Sequence, residues 1–324
     1  KIIKIKTGHY KVYGKGLGSL CGEKNLKLNF FNSGTLTRLL IGILSTTPNI
    51  EVKIDGDRSL RSRDMSKLLA LMSKFGAQFY PKNKTKLPIK LVSSSLPIGI
   101  NYVAGVSAQL KSAVILAAAN SFGTSTIIEK EKSRNHTENI FLKNSKMLSI
   151  KKNVIKVFGK GYISAFDMEV PADPSSAAFF VALTILSDKS SVKIRNVGLN
   201  SRRIGFYQLL KKSGAKIIFK NIKKKNNENI GDVHVECSKM NPIKANSSFY
   251  VSATDEYPIM FIIAALTPGI SIFKGISELK NKESNRILEM QKILAQIGVK
   301  SKLYKGIFKV FGTKNIKIKD KKIN

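Results

Sequence analysis

Cysteine is almost absent from the 324 residues. There are two, Cys21 and Cys237, far apart and without metal-ligand spacing. That excludes a disulfide framework, argues against a zinc site and fits a reducing compartment, so a cytoplasmic location is expected. Long apolar runs are missing too: none reaches the roughly 18–20 residues a membrane-crossing helix needs, and no signal-peptide pattern opens the chain. No membrane partner is expected. Acidic residues are scarce, 21 Asp and Glu against 56 Lys and Arg, for a formal net charge of +35. Such an excess favours anionic partners and speeds encounter with phosphorylated small molecules. It also raises nucleic-acid binding as a rival class. That rival lacks its usual accompaniment, aromatic residues interleaved with Lys and Arg on strands. The lysines are scattered over loops and strand ends, as in KNIKKKNNENIG and the tail KIKDKKIN, and a charge run is usually a solvated face. No nucleic-acid partner is expected. The opening KIIKIKTGHY has no initiator Met and begins in the style of a strand, which reads as a chain whose true start is missing.

What is present is repetition. The length exceeds what one compact core usually organises, so two domains are expected. Four apolar, small-residue stretches read as buried helices: SGTLTRLLIGILST from Ser33, SAQLKSAVILAAAN from Ser107, DPSSAAFFVALTIL from Asp173 and TDEYPIMFIIAAL from Thr254. After each comes a short strand-like run (IEVKI, STIIE, SVKIR, ISIFK) and then an amphipathic helix opening with Ser, Arg or Lys (RSRDMSKLLALMSKFG, SRNHTENIFLKNSKML, SRRIGFYQLLKKSG, KESNRILEMQKILAQIG). Three of these end in Gly-Ala or Gly-Val, the expected left-handed helix stop, and run into a further strand. The repeat is about 70 residues long, far more than a solenoid unit. One wholly apolar and one amphipathic helix per repeat imply an α+β layered architecture. The boundary is expected near VPADPSS, dividing the chain into 1–172 and 173–324.

Several helix starts carry polar or charged groups suited to anions. In NSGTLTR, Asn32 to Arg38, the bare backbone at Gly34 could lie against a phosphate or carboxylate, or Asn and Ser could simply cap the helix; spacing alone leaves both open. GDRSLRSRDM sets Arg58, Arg61 and Arg63 around a strand-to-helix turn, and an arginine fork matches phosphate or carboxylate geometry. SAQLKS pairs Ser107 with a helix start and adds Gln109; SRNHTE repeats the theme with Ser133 and Arg134, where His136 reads as a loop or cap residue. In TDEYPI two acids, Asp255 and Glu256, precede an apolar helix. They are either capping groups or a base for a substrate hydroxyl. KNKESNR gathers Lys282, Glu283 and Arg286, with Lys282 and Arg286 expected on one helical face at i, i+4 spacing. Two cations for anion binding beside an acid for proton delivery suit a transferase.

In this order, NSGTLTRLL, DGDRSLRSRDM, SAQLKSAVILAA, SRNHTE, PADPSSAAFFVA, TDEYPIMFIIAA and ELKNKESNRI resemble the 5-enolpyruvylshikimate-3-phosphate (EPSP) synthase family over essentially the whole chain, on its microbial Ser-Ala-Gln branch. The resemblance implies a two-domain α+β enolpyruvyl transferase fold of repeated βαβαββ-type units, incomplete at both ends. It implies transfer of the enolpyruvyl group of phosphoenolpyruvate to the 5-hydroxyl of shikimate 3-phosphate, on the route to chorismate and the aromatic amino acids. The two domains would close on the substrates. Shikimate 3-phosphate would be held by Ser107, Ala108, Gln109, Ser133, Arg134, Asp255 and Lys282. Phosphoenolpyruvate would meet Asn32, Gly34, Arg63, Gln109 and Arg286. Asp255 and Glu283 would carry the proton transfers, with no metal or organic cofactor, in a monomeric cytoplasmic enzyme. Asn285 and Asp64 depart from the family's usual Asp and Pro. The family's opening Asp-Lys-Ser segment, late His-Arg segment and final lysine have no counterpart, so residues 1–324 alone are expected not to turn over. A sister family, UDP-N-acetylglucosamine enolpyruvyl transferase, does the same chemistry with a loop cysteine as acid, a context neither Cys21 nor Cys237 shares.

Overall fold

The computed structural model of the chain describes residues 1–22 and 26–316; the basic tail KIKDKKIN lies outside them. The chain divides into two compact units, Lys1–Met168 and Glu169–Asn324, with the division shortly before Pro171.

The first unit opens with a hairpin of β1 (Ile2–Lys6) and β2 (His9–Val12). Two repeats follow. The first runs β3 (Lys27–Asn29), α1 (Gly34–Thr46), β4 (Glu51–Asp55), a short α2 (Arg58–Ser62), α3 (Ser66–Lys74), β5 (Gln78–Tyr80) and β6 (Ile89–Val92). The second runs β7 (Asn101–Ala104), α4 (Ala108–Ala119), β8 (Thr124–Glu129), α5 (His136–Asn144), β9 (Leu148–Lys151) and β10 (Val154–Phe158). Their sheets have the same order, β3-β4-β6-β5 and β7-β8-β10-β9, with the first pair parallel and the rest antiparallel.

The second unit repeats the plan. Its first half runs α6 (Pro174–Leu186), β11 (Ser191–Gly198), α7 (Gly205–Lys212), β12 (Lys216–Lys225) and β13 (Glu228–Glu236), in sheet order β11-β13-β12. There the place of the leading strand is taken by Ala172, which makes a parallel bridge to Val197. Its second half runs β14 (Lys244–Ala245), α8 (Tyr257–Ala265), β15 (Gly269–Lys274), α9 (Arg286–Gln296), β16 (Lys300–Tyr304) and β17 (Ile307–Gly312), in order β14-β15-β17-β16. Among the described residues the βαβαββ plan of the EPSP synthase resemblance is thus present four times, once with a single-residue first strand.

Each unit has its own core. In the first, α1 and α4 pack on each other, and Ile41, Ala113, Val114 and Ala117 are buried among Val52, Leu91 and Val157 from the sheets. In the second, α6 and α8 contribute Val181, Met260 and Phe261 against Val233, Phe273 and Phe308. The apolar helices end alike. The residue closing each repeat gives its N–H to a carbonyl in the helix's last turn: Ser94 to Ser45 (2.9 Å), Lys160 to Ala119 (3.0 Å), Ser238 to Ile185 (3.2 Å) and Thr313 to Ala265 (3.0 Å). Carbonyls that a helix end leaves unpaired are thereby satisfied inside the core.

Three local expectations need correction. RSRDMSKLLALMSKFG is not one helix but the end of α2 followed by α3, because Asp64 accepts from the Ser66 N–H (3.1 Å) and Oγ (2.5 Å) while Arg63 is extended at φ −75°, ψ 137°. Ser133 does not cap a helix: α5 begins at His136, with Asn135 in the cap position. Lys282 and Arg286 do not share a helical face. Asn285 caps α9 by accepting from the Leu288 N–H (3.2 Å), so Lys282 sits before it in extended backbone, after a 3-10 turn over Ser277–Asn281.

Candidate active site

In the first unit the site grows from the start of α1. Ser33 caps the helix by accepting from the Leu36 N–H (3.2 Å), which leaves Gly34 as its first residue. Arg38, one turn on, donates from Nη1 to the Gly34 carbonyl and to Gln109 Oε1, each at 3.0 Å. Gln109 returns a bond from Nε2 to Thr35 Oγ1 (2.7 Å). Arg63, in the extended break between α2 and α3, reaches back to Asn32 Oδ1 (3.5 Å). Asn32, Gly34, Arg63 and Gln109 therefore form one cluster with Arg38 at its centre. The backbone at Gly34 lies so close to both guanidinium groups that a Cβ there would collide with Arg63 Nη1 and stand 2.8 Å from Arg38 Nη1.

Ser107 caps α4 by accepting from the Leu110 N–H (3.4 Å), so Ala108 and Gln109 form the first turn of that helix. Ser133 and Arg134 lie in the loop between β8 and α5. The link between helix and loop is Lys111. Its side chain is fully buried, 2.7 Å from Glu129 Oε1 and 2.6 Å from Glu138 Oε1, and it also donates to the Ser133 carbonyl at 3.4 Å. Burial pushes the Glu138 carboxyl up, against the pull of the Lys111 ammonium.

In the second unit Arg286, the first residue of α9, sits 3.4 Å from Asp255 Oδ1 through Nη1 and 2.8 Å from Glu283 Oε2 through Nη2. Asp255 also faces Arg203 at 3.8 Å. Arg203 in turn binds Asp173 Oδ1 (2.6 Å) and Ser175 Oγ (3.0 Å), and the Ser175 hydroxyl bonds the buried Glu256. Burial raises the Asp173 carboxyl, but the Arg203 guanidinium outweighs it and holds Asp173 below the ordinary carboxylate value. Tyr207 closes the layer beneath, giving its hydroxyl proton to the Pro174 carbonyl (2.6 Å); burial pushes that phenol well up. Lys282 precedes Glu283 in the same connection.

Asp255, Glu283 and Arg286 are thus assembled directly. Sequence reasoning missed three organising cations, Arg38, Arg203 and Lys111. Arg38 closes the NSGTLTR motif one turn from Gly34, and Lys111 is a lone charge inside an otherwise apolar helix. A single Lys in such a run signals a buried ion pair.

The family model for EPSP synthase (3-phosphoshikimate 1-carboxyvinyltransferase) matches residues 1–323. The chain belongs to the EPSP synthase family. The 3-phosphoshikimate 1-carboxyvinyltransferase of Paramagnetospirillum magneticum is 35% identical over 315 residues, 95% of this chain and 70% of that protein. That of Zymomonas mobilis is 36% identical over 303 residues, 92% of this chain and 66% of that protein. That of Aquifex aeolicus is 33% identical over 321 residues, 97% and 74%. A solved EPSP synthase from Acinetobacter baumannii superposes with a TM-score of 0.82 at 30% identity, over 98% of this chain and 71% of that one. The chain therefore spans roughly two thirds to three quarters of the length of these EPSP synthases. Both the family and the α+β two-domain fold implied by the sequence motifs are borne out. Among the described residues no helix is long and apolar enough to cross a membrane, and no group of three or more His, Cys, Asp or Glu is placed to hold a metal ion.

Proposed function

We propose that the chain carries its family's reaction on the two clusters described above, moving the enolpyruvyl group of phosphoenolpyruvate to the 5-hydroxyl of shikimate 3-phosphate. The observation that carries this reading is Arg286, whose two nitrogens hold Asp255 at 3.4 Å and Glu283 at 2.8 Å. Addition to an enol phosphate needs one proton removed from the attacking hydroxyl and one delivered to carbon, so two carboxylates with different duties on one cation suit it. Asp255 takes the hydroxyl proton as the oxygen bonds to the enol carbon. Glu283 gives its proton to the methylene carbon, producing a tetrahedral ketal. The bond to the phosphate oxygen then breaks, phosphate leaves with the proton held on Asp255, and Glu283 takes a proton back from the methyl group to restore the double bond. Between the steps Arg286 stabilises whichever carboxylate is charged and pairs with the phosphoenolpyruvate anion. Asn32, Gly34, Arg63, Gln109 and Arg286 are assigned to phosphoenolpyruvate, and Ser107, Ala108, Gln109, Ser133, Arg134, Asp255 and Lys282 to shikimate 3-phosphate. The same reading has the chain act as a monomer in the cytoplasm, with small molecules as its partners.

The test is phosphate release from phosphoenolpyruvate by a chimera in which residues 1–324 carry the flanking segments of the Paramagnetospirillum magneticum relative. Release is expected with shikimate 3-phosphate and not with UDP-N-acetylglucosamine. Release with the nucleotide sugar alone would move the chain to the sister chemistry.

A further inference from the structure

Lys111 stands outside both proposed substrate sets, yet it touches each of the two serines assigned to shikimate 3-phosphate. Its backbone N–H bonds the Ser107 carbonyl (3.2 Å), and its ammonium bonds the Ser133 carbonyl (3.4 Å). The ammonium also donates to Glu129 Oε1 (2.7 Å), on the last residue of β8, and is ion-paired at 2.6 Å with Glu138, in the first turn of α5. Those partners sit before, within and after the segment 130–135, so one fully buried charge on α4 pins both ends and the middle of the loop that carries Ser133 and Arg134. A second bond runs the same way: Thr137 Oγ1 donates to Ser112 Oγ (2.8 Å), again α5 to α4.

A buried lysine between two buried carboxylates is a poor device for stability alone. Apolar side chains of similar volume often serve as well or better once desolvation is counted. Its clearest effect is on geometry, because charge-assisted bonds are short and directional. We propose that Lys111, with Glu129 and Glu138, is a positioning unit that holds the 130–135 loop against the start of α4, so that Ser133 and Arg134 meet the shikimate 3-phosphate anion already in place. The inference rests on the substrate assignment above.

Two measurements separate it from that assignment. The first needs no ligand: amide hydrogen exchange of residues 130–135 in the unmodified chain. Protection comparable to α5 is expected, and exchange as fast as an open loop would overturn the inference. The second uses the variant Lys111→Met/Glu129→Gln/Glu138→Gln, which removes the charges together and so avoids leaving a lone buried ion, as Lys111→Met alone would. At an unchanged melting temperature, loop exchange should quicken and affinity for shikimate 3-phosphate should fall roughly tenfold or more, from lost pre-organisation. A folded triple variant that binds as tightly as the parent would overturn the inference. If the unmodified chain does not bind shikimate 3-phosphate although its loop is protected, the substrate assignment fails and takes with it the ligand named here.

Discussion

A methyl group on Gly34 would have nowhere to go but into Arg63, since its Cβ collides with Nη1 of that guanidinium and stands 2.8 Å from Nη1 of Arg38. Gly34→Ala is therefore expected to push Arg63 off its present position and remove a charge-assisted contact worth about 1.5–3 kcal/mol, roughly a ten- to hundredfold loss of phosphoenolpyruvate affinity. Affinity for shikimate 3-phosphate should fall less, because Gln109 is its one assigned residue bonded into this cluster, through Arg38, while Ser107 and Ser133 lie outside it. Titration of each substrate separately checks this, and equal losses for both would count against it. The carboxylates make a different claim. In the chimera, Asp255→Ala and Glu283→Ala should each lower turnover by roughly 10²–10⁴-fold with smaller effects on KM; near-normal turnover in either variant would end that residue's proton-transfer role. Asp232 gives a pH dependence away from the site. Bonds from the Asn221 side chain and the Asn196 N–H, and then Lys193, outweigh burial and lower its carboxyl from 3.8 to about 2. A depressed folded-state value means the stabilisation is complete above 3.8 and is lost as pH falls toward about 2. Asp232→Asn should flatten the acid-unfolding curve in that window, as followed by circular dichroism. A curve as steep as the parent's would show that the group is not coupled to folding.

At the scale of elements, the second and fourth repeats close through backbone approaches that only glycine permits. A Cβ on Gly159 would overlap the Ser121 carbonyl and stand 2.9 Å from that of Ala118, and a Cβ on Gly312 would overlap the carbonyls of Thr267 and Ala264. Each glycine ends or follows the last strand of its repeat, beside the N–H that satisfies the apolar helix's final turn. Gly159→Ala and Gly312→Ala should each cost about 1–3 kcal/mol or more through forced separation, read as a lower melting temperature; an unchanged melt would mean the strand ends give way freely. The same scale shows what was legible in the sequence. The four apolar helices could be read because their composition leaves no polar face, and Gly76, Gly214 and Gly298 end their helices at positive φ as the Gly-Ala and Gly-Val pairs imply. The leading strands β3, β7 and β14 were not read: two to four residues are too few for alternation to register. The i, i+4 spacing of Lys282 and Arg286 suits one helical face, but Asn285 caps α9 and leaves Lys282 in the extended backbone before it. Arg38 and Arg203 escaped because their partners lie 71 and 30 residues away in sequence, beyond any local pattern.

For the whole molecule, the net charge of +35 gives every anion an attractive field, and that field alone could simulate affinity for a phosphorylated substrate. Two properties separate field from site. The field is screened within about 8–10 Å at physiological ionic strength, and removing one positive charge among so many barely alters it. A built site loses most of its affinity when one of its own cations goes. Arg134 and Lys282 are the cations assigned to shikimate 3-phosphate, so they carry the distinction. The direct measurement is a calorimetric titration of shikimate 3-phosphate into residues 1–324 at physiological ionic strength, alongside Arg134→Ala and Lys282→Ala. Saturable one-to-one binding is expected, weakening roughly tenfold or more in each variant, the worth of one charge-assisted contact. Absence of saturable binding, or variants that bind as tightly as the parent, would contradict it.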